Sequence, residues 1–317
     1  MNILSLFGGI ECGRVALNNL GVSPNNYLSS EINENSMEIA KHNFPNIIHV
    51  GNIIDVKAKD LPEIDLILAG FPCTDLSRAG RQNGFYGIYS LEQYLFLKAN
   101  NYEFQGQSYL FWEFVRLLKE LKPKYFLLEN VIMPARWQRL ITNTLQLEPF
   151  YFNSSDFSGQ SRERLYWTNI KVEVPDVISN LTVKDVLDST VDDRWLEGTF
   201  IPVGDGKDDY YHGIKGIGGL LKGDKELGLK YSNLNDFKTG RRVYSIDGKC
   251  PTMTTGNSTI FKIGDRFRTL TVLEKERLQG LPDGYTKVPG MADGPRSFGI
   301  GNGWTVPTIE HLLKNLV

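Results

Sequence analysis

The sequence predicts an α/β protein: a doubly wound, mostly parallel sheet carrying a smaller, irregular lobe. Three observations predict it. Short apolar runs alternate with helical patterns from the amino terminus to about Lys171. A glycine turn follows the first apolar run, and a thiol stands just past a later one. Beyond Lys171 the chain becomes glycine-rich and irregular, then regular again from Arg268.

The elements follow in order. Ile3–Phe7 is a short apolar strand, and Glu11–Leu20 has helical spacing that ends at Gly21. Tyr27–Ser30 is a second strand, ending at Glu31. Asn33 opens a helix that runs to Asn43 and stops before Pro45. Ile47–Val50, Leu66–Ala69 and Tyr125–Leu128 are further strands. Tyr109–Leu121 is an amphipathic helix with Phe111, Phe114, Val115 and Leu118 along one stripe. Residues 171–259, with Gly204-Asp205-Gly206 and the run from Gly213 to Gly219, read as a second lobe built of loops. Leu273–Leu278 is helical up to Gly280, and Thr305–Leu316 is a terminal helix. The expected domains are therefore 1–170, 171–259 and 260–317, the last returning to the first lobe.

The 317 residues suffice for a sizeable core, and 41% hydrophobic with 23% charged residues is ordinary for a globular chain. No apolar run approaches the ~18 residues of a membrane span. Met1 to Phe7 lacks a basic region followed by a long apolar stretch, so it reads as a first strand and not a signal peptide. Cys12, Cys73 and Cys250 cannot build a disulfide framework and are not spaced as a zinc site, so no metal is expected and a reducing cytoplasm fits. A net charge of −2 does not advertise nucleic acid, so any such contact needs a local basic patch.

Chemistry concentrates at two places. In Ala69-Gly70-Phe71-Pro72-Cys73-Thr74-Asp75-Leu76-Ser77, Gly70 and Pro72 turn the chain out of a buried strand and leave a thiol at its carboxyl end. Cys73 there is a candidate nucleophile, against the alternative of a buried structural cysteine. In Leu4-Ser5-Leu6-Phe7-Gly8-Gly9-Ile10-Glu11-Cys12-Gly13, a glycine turn opens a helix and lets a ligand approach the backbone. Glu31 lies roughly 20 residues on, where a carboxylate bonds ribose hydroxyls. No second phosphate-type signature or basic partner accompanies it. That favours a nucleoside ligand without a diphosphate, with Phe7 stacking on a purine. S-adenosylmethionine satisfies these constraints better than NAD.

Taken together, these motifs resemble the DNA cytosine-5 methyltransferases along nearly the whole chain. The likeness rests on Phe7, Gly9 and Gly13; on Pro72-Cys73 and the loop Asp75 to Phe85; and on Glu129-Asn130-Val131. It continues through Gln160-Ser161-Arg162-Glu163-Arg164, Arg268-Thr269-Leu270-Thr271 with Glu274, Arg277, Leu278, Gln279 and Gly280, and Gly301-Asn302-Gly303-Trp304-Thr305-Val306-Pro307. Cys73 to Ser77, the wide opening turn and Trp304 to Pro307 are more similar to the branch that includes the animal de novo enzymes. The short second lobe suits that branch or a small phage or bacterial enzyme. There are departures. Asn52 stands after Gly51 where the family usually has Asp, Phe71 replaces a common proline, and Thr74 a common glutamine or asparagine. Residues 87–106 look like an insertion rich in Tyr, Phe and Leu, to which the sequence assigns no role.

The resemblance implies a reaction and its residues. Cys73 would add as a thiolate to carbon 6 of cytosine, making carbon 5 nucleophilic toward the methyl of S-adenosylmethionine, with S-adenosylhomocysteine as product. Glu129 would bond ring nitrogen 3 and the exocyclic amine, Arg164 would orient the base or Glu129, and Arg162 would help hold the base's carbonyl. The cofactor would meet Phe7, Gly9, Ile10, Glu31, Ile32, Asn52, Ile53, Gly70, Pro72, Asn302, Trp304 and Val306. The partner would be double-stranded DNA with its target base flipped out. Ser77, Arg78 and Arg81 of the loop would meet that DNA. Arg241 and Arg242, in a basic set with Lys222, Lys225, Lys230 and Lys238, would serve phosphate or guanine. A soluble cytoplasmic monomer is expected, with neither membrane nor metal. Two alternatives stand beside this reading: a cytosine-5 methyltransferase acting on transfer RNA, and a catalytically inactive regulatory homologue.

Overall fold

Strand β1 (Asn2–Leu6) forms the centre of a parallel sheet because its run of apolar residues is buried on both faces. The computed structural model describes residues 1–316 except 78–79, 81, 192–194, 197–198, 203–209, 212–213, 223–241 and 257–258. Helix α1 (Cys12–Asn19) leads to β2 (Asn26–Ser30), and α2 (Glu34–Asn43) to the short β3 (Ile48–His49). Asn33 caps α2 as its sequence position demands, accepting the Ser36 N–H at 2.9 Å. The chain then crosses to the other side of β1 and enters β4 (Leu66–Ala69), the run expected from sequence.

After β4 come α3 (Leu91–Ala99), α4 (Leu110–Leu121), β5 (Tyr125–Val131), α5 (Ala135–Leu145), β6 (Phe150–Asn153) and β7 (Glu163–Thr168). The strand order is β3-β2-β1-β4-β5-β7-β6. Pairings from β3 to β5 are parallel, and β7 runs antiparallel to β5. This is the doubly wound, mostly parallel sheet that the sequence predicts. Its core joins Leu4, Leu6, Ile67 and Leu128 of the strands to Phe111, Trp112 and Phe114 of α4, with Phe85 and Trp137 in the same cluster.

The second region corrects an expectation. Among the described residues it holds a sheet and not only loops. Its strands are β8 (Trp195–Leu196), β9 (Thr199–Pro202), β10 (Tyr210–Tyr211), β11 (Ile214–Lys222), β12 (Arg242–Ser245), β13 (Ile260–Ile263) and β14 (Arg266–Thr269). They run in the order β10-β11-β12-β13-β14-β8, with β9 also on β11. The glycines at 216, 218 and 219 erase the alternation that marks a strand, yet β11 keeps its hydrogen-bonded neighbours β9, β10 and β12. Helices α6 (Val272–Gln279), α7 (Asp293–Asn302) and α8 (Val306–Leu313) complete the chain.

The domain limits also shift. One compact unit comprises Met1–Phe152, Glu163–Val174 and Ile309–Val317; the other comprises Asn153–Arg162 and Pro175–Thr308. In this division the first unit is discontinuous in sequence, and its last stretch begins at Ile309, where the sequence reading placed the return at 260. Residues 260–308 stay with the second unit because β13 pairs β12, β14 pairs β8, and α6 packs on α7. Among the described residues no helix is long and apolar enough to cross a membrane, and no group of three or more His, Cys, Asp or Glu is placed to hold a metal ion.

An ion pair anchors the start of α6. Arg268 donates from both Nη atoms to buried Glu274, at 2.7 and 2.6 Å, and Glu274 closes a capping box with Thr271. Arg268→Ala leaves the Glu274 carboxylate buried without its countercharge and is expected to cost about 3–5 kcal/mol. Urea unfolding measures it; a midpoint unchanged from the parent contradicts the assignment.

Candidate active site

The carboxyl ends of β1, β4 and β5 supply the residues of the first unit's site. The turn after β1 is bent by three consecutive odd positions in the left-handed region: Phe7 (φ 59°), Gly9 (φ 55°) and Glu11 (φ 61°). The Gly9 N–H donates to Glu31 Oε2 at 2.8 Å, which ties the glycine turn to the end of β2. Glu31 Oε1 accepts the N–H groups of Ile32 and Asn33, each at 2.8 Å, so the carboxylate is held in one orientation. Ile32 beside it is 66% exposed, an apolar surface next to a fixed carboxylate. Asn52 uses its side-chain oxygen to accept the Ile54 N–H at 3.2 Å, a local turn that shapes the 52–56 segment. Ile10 and Ile53 have buried side chains, and the Ile53 carbonyl accepts the Val56 N–H at 3.3 Å.

Cys73 lies past β4 on a turn that its own carbonyl closes, accepting the N–H groups of Leu76 and Ser77 at 2.9 Å each. It is partly exposed, whereas Cys12 and Cys250 are buried, and burial pushes the Cys250 thiol up to about 12. Accessibility therefore singles out Cys73 from the three thiols. Gly70 and Pro72 flank the same turn, and the Gly70 N–H donates to Leu6 O at 3.4 Å. Arg78 and Arg81 lie outside the described residues.

Glu129 is placed next to this turn by the β4–β5 ladder, in which Ala69 pairs with Leu128. Strand β5 runs on to Val131, so Glu129 is inside a strand and not past its end. Asn130 Nδ2 donates to Phe71 O at 3.0 Å and thereby clips the Glu129 strand to the turn that carries Cys73. On the other side, Glu129 faces Tyr166 in the antiparallel ladder and Val131 faces Arg164. Glu129 and Arg164 are thus a same-face diagonal pair. The Arg164 Nε lies 2.8 Å from Glu129 Oε1, a close ion pair whose N–H lacks hydrogen-bond alignment.

Arg162 departs from its expected role. It precedes β7 and is buried, and its guanidinium donates to the carbonyls of Met253 (3.2 Å), Gly301 and Gly303 (3.1 Å each). Those carbonyls accept from both of its Nη atoms, so it holds the Gly301-Asn302-Gly303-Trp304 segment within the second unit. Gln279 does the same from α6. It donates to Ile300 O at 2.9 Å and Gly303 O at 2.7 Å while accepting from Gln160 at 2.7 Å and Thr305 at 3.1 Å. Of the residues expected on the cofactor there, Asn302 is exposed, Trp304 is half-buried and Val306 is buried. Arg242 is exposed at the start of β12, and Arg241, Lys225, Lys230 and Lys238 lie outside the described residues.

One residue escaped the sequence reading. Glu11 is buried beneath the glycine turn and accepts from Ser5 Oγ (2.9 Å), Tyr27 Oη (2.7 Å) and Ser29 Oγ (2.5 Å). A Cβ at Gly8 would sit 2.0 Å from its Oε1, so the turn and the carboxylate fit only with glycine there. The available signal was the hydroxyls alternating on β1 and β2, Ser5, Tyr27 and Ser29, all on one side of an otherwise apolar sheet.

The fold is shared with known methyltransferases. The Dnmt2 methyltransferase of S. pombe superposes with a TM-score of 0.68 at 18% identity, covering 99% of this chain and 97% of that one. Entamoeba histolytica methyltransferase EhMeth gives 0.67 at 18% identity, covering 100% and 97%. These likenesses show the fold. The chain belongs to the C-5 cytosine-specific DNA methylase family, whose profile matches residues 1–317. It is 26% identical over 359 aligned positions to the type II methyltransferase M.Bsp6I of Bacillus sp. (strain RFL6), covering 100% of this chain and 98% of the relative. It is 28% identical over 339 positions to the type II methyltransferase M1.ScrFI of Lactococcus lactis subsp. cremoris, covering 99% and 77%.

Burial pushes the Glu11 carboxyl above its ordinary 4.5, outweighing the three hydroxyl donors. The folded protein then holds this proton to higher pH than the unfolded chain, so the stability it contributes is full below the ordinary pKa and is lost as pH rises through the folded value. In thermal melts, wild type minus Glu11→Gln is expected to become less favourable to wild type as pH rises from about 4. A difference that stays flat with pH contradicts the burial argument.

Proposed function

We propose that this chain methylates carbon 5 of a cytosine flipped out of duplex DNA, using S-adenosylmethionine as methyl donor and Cys73 as covalent nucleophile. The observation that carries the reading is the clip of Asn130 on Phe71 O together with the Glu129–Arg164 pair. These put the only partly exposed cysteine of the chain and an oriented carboxylate at the ends of adjacent parallel strands.

The first unit fits a nucleoside. The fixed Glu31 carboxylate has one acceptor site left, on Oε2, for a ribose hydroxyl, exposed Ile32 can cover an adenine face, and Gly9 has open space where a side chain would stand. Phe7, Asn52, Gly70 and Pro72 would line the same place. S-adenosylmethionine supplies an electrophilic methyl group on a sulfonium. Everything else falls to the protein's own residues.

The Cys73 thiolate forms a bond to carbon 6 of the ring, and the electrons of the 5,6 double bond become available at carbon 5. Glu129 donates a proton toward ring nitrogen 3 as charge grows there, and Arg164 keeps that carboxyl facing the ring. After carbon 5 has taken the methyl group, its proton leaves to solvent, the carbon–sulfur bond breaks and the proton on ring nitrogen 3 returns to Glu129, which restores the aromatic ring and the thiolate. Ser77 meets the DNA, and Arg78 and Arg81 serve its phosphates. Duplex DNA requires the base to be unstacked at a cost of a few kcal/mol. Arg242 and Arg241 serve target contact from the second unit.

The test is incubation with methyl-labelled S-adenosylmethionine on plasmid DNA and on total transfer RNA, followed by bisulfite sequencing. Label in DNA cytosine supports the reading, and label confined to RNA overturns its substrate. Cys73→Ala is expected to abolish turnover and to prevent covalent trapping on duplexes carrying 5-fluorocytosine. Glu129→Gln is expected to lower kcat by about 10²–10⁴-fold with trapping slowed in parallel. A Cys73→Ser variant methylating at the parent rate would rule out the covalent route.

A further inference from the structure

Residues 87–106 take no part in the chemistry above, yet both ends and the middle of this insertion are tied to segments that do. Asp75, two residues after Cys73, is buried and accepts hydrogen bonds on both carboxylate oxygens. Tyr86 Oη donates to Oδ1 at 2.9 Å, and the N–H groups of Gln107 (2.7 Å) and Ser108 (3.3 Å) donate to Oδ2. Tyr86 precedes the insertion and Gln107 follows it, so one carboxylate gathers both ends onto the nucleophile's turn. The approach is close: Gly106 has φ +65°, and a Cβ there would meet Asp75 Oδ2 at 2.4 Å. Gly84 reinforces the junction, donating its N–H to Asp75 O at 3.0 Å and accepting Ser108 Oγ at 2.5 Å.

The middle of the insertion is α3, and it reaches the other half of the site. Lys98 Nζ donates to Ile54 O at 3.0 Å and pairs with Glu113 at 2.5 Å. Glu113, fully buried on α4, also accepts from Tyr94 of α3 and from Arg116 Nε at 2.7 Å. Arg116 Nη2 donates onward to Val56 O at 2.8 Å. The carbonyls of 54 and 56 belong to the segment whose Asn52 and Ile53 stand on the expected cofactor side. A buried, charge-assisted network of this kind is rigid because each lost bond leaves a desolvated charge.

We propose that residues 85–108 are a strap that sets the cofactor segment 52–56 and the nucleophile turn 73–77 in one geometry, with Lys98 and Asp75 as its positioning residues. The inference rests on the reading of those two segments given under Proposed function. Removing either anchor loosens the distant segment as well as its own.

Hydrogen exchange of the full chain, with binding of S-adenosylhomocysteine measured by calorimetry, tests this without reference to turnover. Lys98→Met is expected to speed exchange at the amides of residues 54–56 and also at Leu76, Ser77 and Gly84, each by about tenfold, and to weaken S-adenosylhomocysteine by about tenfold. Lys98→Arg restores protection at both places. Asp75→Asn is expected to speed exchange at residues 76, 77 and 84 and, through the strap, at 54–56. If Asp75→Asn does not fold, Tyr86→Phe removes one donor and carries the same expectation at smaller amplitude. Effects confined to the mutated end in both the Lys98 and the Asp75 or Tyr86 variants overturn the strap. Covalent trapping by the parent protein, absent in Cys73→Ala, would then still stand for the reaction, so the two readings fail separately.

Discussion

The parallel pairing of β1 with β4 decides where chemistry happens in this protein. The chain winds outward from β1 through β2 and β3 and then returns to the opposite side of β1 as β4. At that reversal the connections leave in opposite directions, and a crevice opens at the carboxyl ends of the two strands. Leu6 pairs with Ala69, so the next residues on each side, Phe7 and Gly70, leave the sheet at the same level. The glycine turn and the turn that presents a thiol are thus neighbours by topology. Each later feature of the first unit is an attachment to that pair of turns: Glu31 to the first, Asn130 and Asp75 to the second.

Polar groups serve orientation within each unit. Glu31 fixes Gly9, Glu11 gathers three hydroxyls beneath the same turn, and Arg162 and Gln279 shape the segment around Asn302 in the second unit. Burying such groups is costly unless each finds partners; Glu11 finds side-chain hydroxyls, while Glu31 and Arg162 find main-chain amides and carbonyls. Main-chain partners are insensitive to which side chains surround them. The loops are therefore held by bonds that substitutions elsewhere do not remove.

Much of the fold was legible. Leu66–Ala69 is a strand to the residue, and α2 begins at its Asn33 cap, because short apolar runs and caps are local signals. Other elements were not. Helix α3 has apolar residues on all sides, so no stripe marks it, and α7 contains Pro295 and three glycines, which argue against a helix by propensity. In the site, Cys73, Glu129 and Arg164 were legible because their motif neighbours are adjacent in sequence. The work of Arg162 was not, since its carbonyl partners lie 91 to 141 residues away. Nor was that of Glu11, because a carboxylate in a glycine turn reads as solvent-facing until the hydroxyls of β1 and β2 are folded around it.

The antiparallel β5–β7 ladder has a consequence for how this chain tolerates length changes. Sheet registration is digital: inserting or deleting one residue moves every following side chain to the opposite face. Within β7 such a change would send Arg164 away from Glu129 and bring Glu163 or Leu165 to its place, with no intermediate state in which the pair is merely weakened. Length drift is therefore barred between Arg164 and Thr168.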